Sequence, residues 1–257
     1  MKKLVILIVI LFLAVIGLGG YIAYDKIYLQ KSSKGVVTQL GEKDIDLNVF
    51  SGINETLNKF DQAFNDNNTS YFGYLYNQKE VKMKKIDPKV ALYICIHNYI
   101  INTGQPQNIN EGVIKSEFQK IFDKNATYKP SDIDAGEKLK ITYNKDLSTY
   151  SSIYSGTKDI YYSTYVEKNV STTIEDENIV VKRKVFYVEY EPNETSITAK
   201  IYQNSDKKKL IASIPLKDKV LDTDEVIGKY GYKLQTYNYI FEEKTYKEYY
   251  IKEIVRV

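Results

Sequence analysis

The sequence predicts an α+β protein, with an N-terminal transmembrane helix followed by about three helices packed on a curved, mostly antiparallel sheet. Three observations predict this fold class: an uncharged apolar run near the N-terminus, helical apolar periodicity within residues 48–130, and alternating apolar periodicity within residues 131–257. Hydrophobic residues make up 43% and charged residues 27% of the chain, which is typical of a folded protein.

The N-terminal segment has the features of a membrane anchor. Two lysines precede Leu4 to Tyr24, a stretch without a charged residue. As a helix this stretch is about 32 Å long, enough to cross a bilayer. A cleaved signal peptide begins in the same way, but here the apolar run continues beyond the small residues Gly17 and Gly19. We therefore predict an uncleaved signal anchor over residues 1–25, with a cleaved signal as the alternative.

The orientation of the anchor is predicted from its flanks. Positive charges lie on both sides and do not decide it. The tail before Leu4 is too short to hold a domain, and the chain begins like an export signal. We expect a single-pass protein of the cell membrane, in contact with the lipid bilayer through Leu4 to Tyr24, with a cytoplasmic N-terminus and an extracytoplasmic bulk. Residues 26–47 are polar and mixed in charge, as in a juxtamembrane linker.

Two helices are predicted from apolar spacing and terminal signals. The first has Ser51 as its expected N-cap, NDNN (65–68) as its stop, and an apolar stripe at spacings of four, three and four: Ile53, Leu57, Phe60 and Phe64. The second begins at Asp87-Pro88, an N-cap followed by proline at the first helical position, and ends at Gly104.

A third helix is predicted near NINE (108–111), where Asn108 and Glu111 have the spacing of a capping box. It is expected to end by Asn125. Residues 67–86, which include YFGYLY (71–76), are predicted to form a loop because they show no clear period. Residues 48–130 are therefore expected to be the helical part of the extracytoplasmic domain.

From residue 138 the apolar period changes to alternation, and eight strand candidates follow in hairpin order. They are KLKITY (138–143), STYSSIY (148–154), DIYYSTYVEKNVSTTI (159–174), IVVKRKVFYVEY (179–190), TSITAKIYQ (195–203), KLIASI (209–214), YKLQTYNYIF (232–241) and YKEYYIKEIVRV (246–257). A short helix is predicted within LDTDEVIGKYG (221–231), with Asp222 as its cap. Residues 131–257 are therefore expected to form an antiparallel sheet on which the helices pack.

The composition argues against several classes of function. A net charge of +3 gives no global field that would favour nucleic acid as a partner. Only Arg183 and Arg256 are arginines, although the guanidinium fork is the preferred group for carboxylate and phosphate recognition. One cysteine excludes an internal disulfide and a thiolate metal cluster. The 25 tyrosines could line a groove, but their enrichment together with Lys, Ile and Asn is more typical of an AT-rich genome.

The only cysteine and the only histidine, Cys95 and His97, are two residues apart. Helical residues at this spacing point about 200° from each other, so their side chains cannot meet. We therefore predict a packed histidine and an inert buried thiol rather than a catalytic pair.

No metal or cofactor is predicted. The acidic stretches EDEN (175–178) and DTDEVIG (222–228) are explained by a hairpin tip and a helix cap. SGTK (155–158) matches the Ser-x-x-Lys of penicillin-interactive enzymes without their other motifs. No catalytic residue is assigned, although carboxylates distant in sequence could converge in space. Tyr237, Tyr239 and Phe241 alternate on a strand and are expected to pack on the helices or, alternatively, to line a pocket.

With helices first and two long strands last, YNYIFEEKTYKEYYIKEIVRV (237–257) resembles the closing hairpin of nuclear-transport-factor-2-like (cystatin-like) α+β domains. The whole chain resembles, in composition and element order, small membrane-anchored extracytoplasmic proteins of low-GC Gram-positive bacteria whose roles are uncharacterised. The resemblance implies a cone-shaped sheet wrapped around helices, a fold that serves binding, assembly and a few enzymes.

Three functions are compatible with these features. The first is a non-enzymatic module, tethered to the membrane, that binds another envelope protein or a small ligand. The second is a structural subunit of an envelope assembly such as a conjugative secretion channel. The third is a carboxylate-dependent hydrolase of the cell envelope. The sequence favours the first, because no recognisable catalytic motif accompanies the anchor.

Overall fold

The long strand Asn178–Pro192 organises the fold, because different elements pack on its two faces and pair with its two edges. The computed structural model describes residues 47–67, 69–104, 108–123, 125–136, 139–154, 163–192, 196–216, 220–245 and 248–257. The predicted anchor (1–25) and nearly all of the linker (26–47) lie outside the described residues. Within the described ranges, no helix is both long enough and apolar enough to cross a membrane.

The protein is α+β, and the described residues form four α-helices and antiparallel sheets. The helices are α1 (Leu47–Phe64), α2 (Pro88–Thr103), α3 (Glu111–Ile121) and α4 (Thr223–Tyr230), and 3-10 turns cover Tyr74–Asn77, Met83–Lys85 and Gly231–Lys233. The strands are β1 (Glu80–Lys82), β2 (Ile109–Asn110), β3 (Ile133–Asp134), β4 (Leu139–Asn144), β5 (Thr149–Tyr154), β6 (Ser163–Glu175), β7 (Asn178–Pro192), β8 (Ile197–Tyr202), β9 (Leu210–Leu216), β10 (Gln235–Thr245) and β11 (Glu248–Arg256).

The strands of the described residues form two sheets rather than the single sheet that the sequence predicts. The large sheet has the order β1-β11-β10-β7-β8-β9, with β6 on the other edge of β7, and the small sheet has the order β2-β5-β4-β3. Residues 179–185 of β7 pair with β10 and residues 187–192 pair with β8, whereas β6 runs along nearly the whole opposite edge. All eight predicted strands are present. The additional strands β1, β2 and β3 are two or three residues long, too short to show an alternating pattern.

Alternation along β7 separates two cores. Val181, Val185 and Tyr187 belong to the main core, which α1, α2 and α3 fill together with β10 and β11. Phe186 and Val188 point to the other face, where they pack with α4 and with residues of β8. Successive side chains of a strand point to opposite faces, so one strand can serve both cores. Helix α2 is buried almost all round at the centre of the main core.

The caps explain where the helices begin, and two predicted caps are wrong. The Asp87 side chain accepts a hydrogen bond from the Lys89 amide, and Asp222 caps α4 as predicted. Ser51 is not a cap, because α1 begins at Leu47 and buried Val49 extends the apolar stripe by one turn. Asn110, not Asn108, caps α3 by accepting from the Gly112 amide, because Ile109–Asn110 is extended and paired with β5.

Candidate functional site

A polar seam joins α1 and the residues just after it to β6 and β7. Two pairs start on α1 and two start just after its end: Asn54 with Asn169, Asp61 with Arg183, Asn65 with Glu167, and Asn67 with the Ser163 carbonyl. The three partners on β6 fall in residue number as the residues that they contact rise, so this segment and β6 run antiparallel. A helix packed on a sheet normally buries apolar side chains, and polar groups here must therefore satisfy one another.

Arg183 and Asp61 form a two-pronged ion pair within the seam. Arg183 comes from β7, and its Nη1 and Nη2 donate to the two Asp61 carboxylate oxygens at 2.8 and 2.7 Å. Arg183 is 4% exposed, and its guanidinium lies 5.0 Å from the centroid of the Tyr239 ring. Burial opposes the positive charge of Arg183, but the Asp61 carboxylate outweighs burial and keeps the pKa of the guanidinium above its ordinary value.

Glu167 is a second carboxyl group in the seam, in a different environment. The Asn65 amide donates to Glu167 Oε1 at 2.7 Å, and the Tyr76 hydroxyl donates to the same oxygen. Burial and the nearby charge of Asp61 raise the pKa of Glu167 to about 7, against the opposing effects of Arg183 and the two donors. Glu167 is therefore able to hold a proton near neutral pH, whereas both Asp61 oxygens are bound by a guanidinium. Two carboxyl groups in contrasting environments are the arrangement that divides acid and base roles in many hydrolases.

A third acid, Asp66, lies against the only histidine of the chain. His97 Nε2 is 3.2 Å from Asp66 Oδ2, and the ring packs 5.3 Å from Tyr93. His97 is 2% exposed and Cys95 fully buried, which confirms the predicted packed histidine and buried thiol. Burial raises the pKa of the Cys95 thiol far above its ordinary value. Among the described residues, no group of three or more His, Cys, Asp or Glu side chains could hold a metal ion.

The structure places Tyr237, Tyr239 and Phe241 in the main core, each at most 1% exposed. This is the packed face that the alternation predicts, while a role as pocket lining stays a prediction. The Tyr237 hydroxyl lies 3.1 Å from the Tyr76 carbonyl oxygen and 2.8 Å from Gln235 Oε1. Tyr239 contributes to the seam instead through its ring, which faces Arg183.

Two surface grooves lie apart from the seam. The first, which we name the mixed-charge groove, has a volume of about 410 Å³, and its lining includes Lys82, Lys84, Asp123, Glu242, Lys252 and Glu253. The second, which we name the arginine groove, has a volume of about 470 Å³ and is lined by Lys79, Gln203, Leu234, Gln235, Arg256 and Val257. Charged side chains line both grooves, which therefore suit a charged partner better than an apolar one.

Sequence reasoning missed the seam because its members come from distant parts of the chain. Asp61 and Arg183 are 122 positions apart. One local signal was present: Arg183 occupies a core-facing position of β7 between Val181 and Val185, where alternation predicts an apolar residue. A buried charge at such a position indicates a partner from another element.

Comparison of the chain with protein-family models, with curated proteins and with solved structures gave no match.

Proposed function

We propose that the chain is a membrane-tethered, extracytoplasmic binding or interaction module. The observation that carries this proposal is the distribution of apolar and polar groups. Large side chains such as Phe60, Tyr93 and Phe241 fill the space between the helices and the large sheet, whereas charged grooves lie on the surface. A domain with a filled interior and polar surface grooves is suited to bind a partner at its surface.

Membrane topology and surface contact can be tested in cells with the full chain. Alkaline phosphatase fused after Val257 should be active, because we expect that end outside the membrane. A photocrosslinking residue at exposed Lys84, in the mixed-charge groove, should yield a discrete adduct, whereas the same residue at Leu147, a 69% exposed hairpin position, should not. An adduct with a second copy of the chain would favour a structural subunit of an envelope assembly. An inactive fusion, or the same result from both crosslinking positions, would contradict the proposal.

A carboxylate-dependent hydrolase is the second candidate, and Glu167 favours it. Its pKa of about 7 lets it donate a proton near neutrality, while Asp61 beside it is held in a guanidinium fork. Release of soluble fragments from purified cell wall by the full chain, lost in E167Q but kept in E55Q, would support this activity. Glu55 is a suitable control because it lies on α1 with a 70% exposed side chain. Equal release by both variants, or none by the wild type, would remove this candidate.

A further inference from the structure

The arginine groove lies where the end of β11 meets the start of β10 and the residue before β1. Arg256 pairs with Tyr237 of β10, and its amide donates to the Lys79 carbonyl at 2.9 Å on the other side. Residues directly opposite each other in neighbouring antiparallel strands present their side chains on the same face. Lys79, Arg256 and Tyr237 therefore form one row across three neighbouring chain segments.

Polar contacts link the row to the Gln235 amide. The Arg256 guanidinium lowers the pKa of the Tyr237 hydroxyl against the larger effect of burial, and that hydroxyl lies 2.8 Å from Gln235 Oε1. The carbonyl end of the Gln235 amide is thereby occupied, which leaves its Nε2 donors for a ligand. Gln203 adds a second amide, and Leu234, 6% exposed, supplies an apolar surface.

The two cations of the groove lack a carboxylate partner among the residues that the structure describes. Several other lysines form ion pairs, as Lys82 does with Glu80 at 3.0 Å and Lys252 with Glu242 at 3.0 Å. Arg183, the other arginine of the chain, holds the Asp61 carboxylate in a two-pronged fork. A guanidinium presents the same planar donors to a phosphate group, and a neighbouring ammonium adds a second positive charge.

We propose that the arginine groove binds a phosphate group, either free, on a small molecule, or on a lipid headgroup. Arg256 would supply the fork, Lys79 the second charge, and Gln235 a neutral hydrogen bond. Two positive charges match a phosphate group better than a single carboxylate, because a phosphate monoester carries about −1.5 to −2 at neutral pH. The proposal rests on the proposed binding function only for its biological role.

The presence of two arginines allows a direct test on the full chain in detergent micelles. Arginine labelled with ¹⁵N gives two side-chain Nε–H signals, and R256K assigns them. Titration with inorganic phosphate at pH 7 and constant ionic strength should shift the Arg256 signal until it saturates, with Arg183 unchanged. K79Q should weaken binding about two- to fivefold. K140Q removes the same charge from an exposed position on β4 and should leave the affinity unchanged.

Three further titrations distinguish the sources of the anion. Acetate should act much more weakly than phosphate. Bicelles that contain phosphatidic acid, whose headgroup is a phosphate monoester, are compared with bicelles of phosphatidylcholine alone, and a response confined to phosphatidic acid assigns the phosphate group to a headgroup. Three results would overturn the proposal: sodium chloride shifts the Arg256 signal as much as phosphate does, acetate shifts it as much as phosphate does, or K79Q binds phosphate as tightly as the wild type. That failure would leave the crosslinking test of the proposed function unaffected, and an inactive phosphatase fusion would leave phosphate binding unaffected.

Discussion

Removal of one partner from the Asp61–Arg183 pair should destabilise the protein unequally, depending on which partner is lost. The Arg183 side chain is 5% exposed and that of Asp61 is 18% exposed. D61N leaves a buried guanidinium without a carboxylate partner, whereas R183M leaves a carboxylate that water can reach. A buried charge left unpaired costs about 3–5 kcal/mol. We expect D61N to lower the free energy of unfolding by about 3 kcal/mol, at the low end of this range, because Glu167 beside the pair can ionise and partly replace Asp61. R183M should lower it by about half as much.

The assay is thermal unfolding of the full chain in detergent, followed by near-ultraviolet circular dichroism of its tyrosines. In a domain of this size, 1 kcal/mol corresponds to about 2–4 °C in Tm, so D61N should lower Tm by about 6–12 °C. The double variant D61L/R183M should return to within about 1 kcal/mol of the wild type, because apolar side chains can replace a buried ion pair without loss. E225Q removes a surface pair with Lys229 and should cost less than about 0.5 kcal/mol. A cost for D61N no larger than for R183M would refute this reasoning.

Three other predictions follow from the same structure. Because the folded protein raises the pKa of Glu167 from 4.5 to about 7, the native state holds that proton more tightly than the unfolded chain. Stability should therefore fall by up to about 3 kcal/mol as pH rises from 4.5 to 7. E167Q should remove this pH dependence and be more stable than the wild type at pH 8. Chemical denaturation at several pH values tests this, and the same change in stability with pH in E167Q and the wild type would contradict the prediction. G73A should lower the free energy of unfolding by about 2–3 kcal/mol in the same melts, because Gly73 has φ +66° and a Cβ there would lie 2.8 Å from Tyr165 Cε2. G52A is the control: a Cβ at Gly52 would meet open space, so this variant should be neutral or stabilising. Cys95 should react with a thiol reagent only after denaturant unfolds the chain; rapid labelling under native conditions would show that the site opens.

Local signals in the sequence were sufficient for most elements of the fold. Asp87, Gly104 and Asp222 act through groups a few residues away, so their roles as caps can be predicted without tertiary structure. The alternating apolar pattern also located all eight long strands. The first start signal failed at Ser51 because α1 begins one turn earlier, where Val49, four residues before Ile53, continues the buried apolar stripe.

The sequence by itself determined the α+β class, the order of elements and the burial of Cys95 and His97, because each depends on periodicity within one segment. Only the tertiary structure decided that Asp61, Glu167 and Arg183 meet, and that Arg256 is presented in a groove beside Lys79. The order of strands in the large sheet brings these residues together, because β7 places Arg183 against α1 and β11 lies between β10 and β1 at one edge. Strand pairing between distant segments depends on the packing of the whole core, and a single sequence does not encode it as a local pattern.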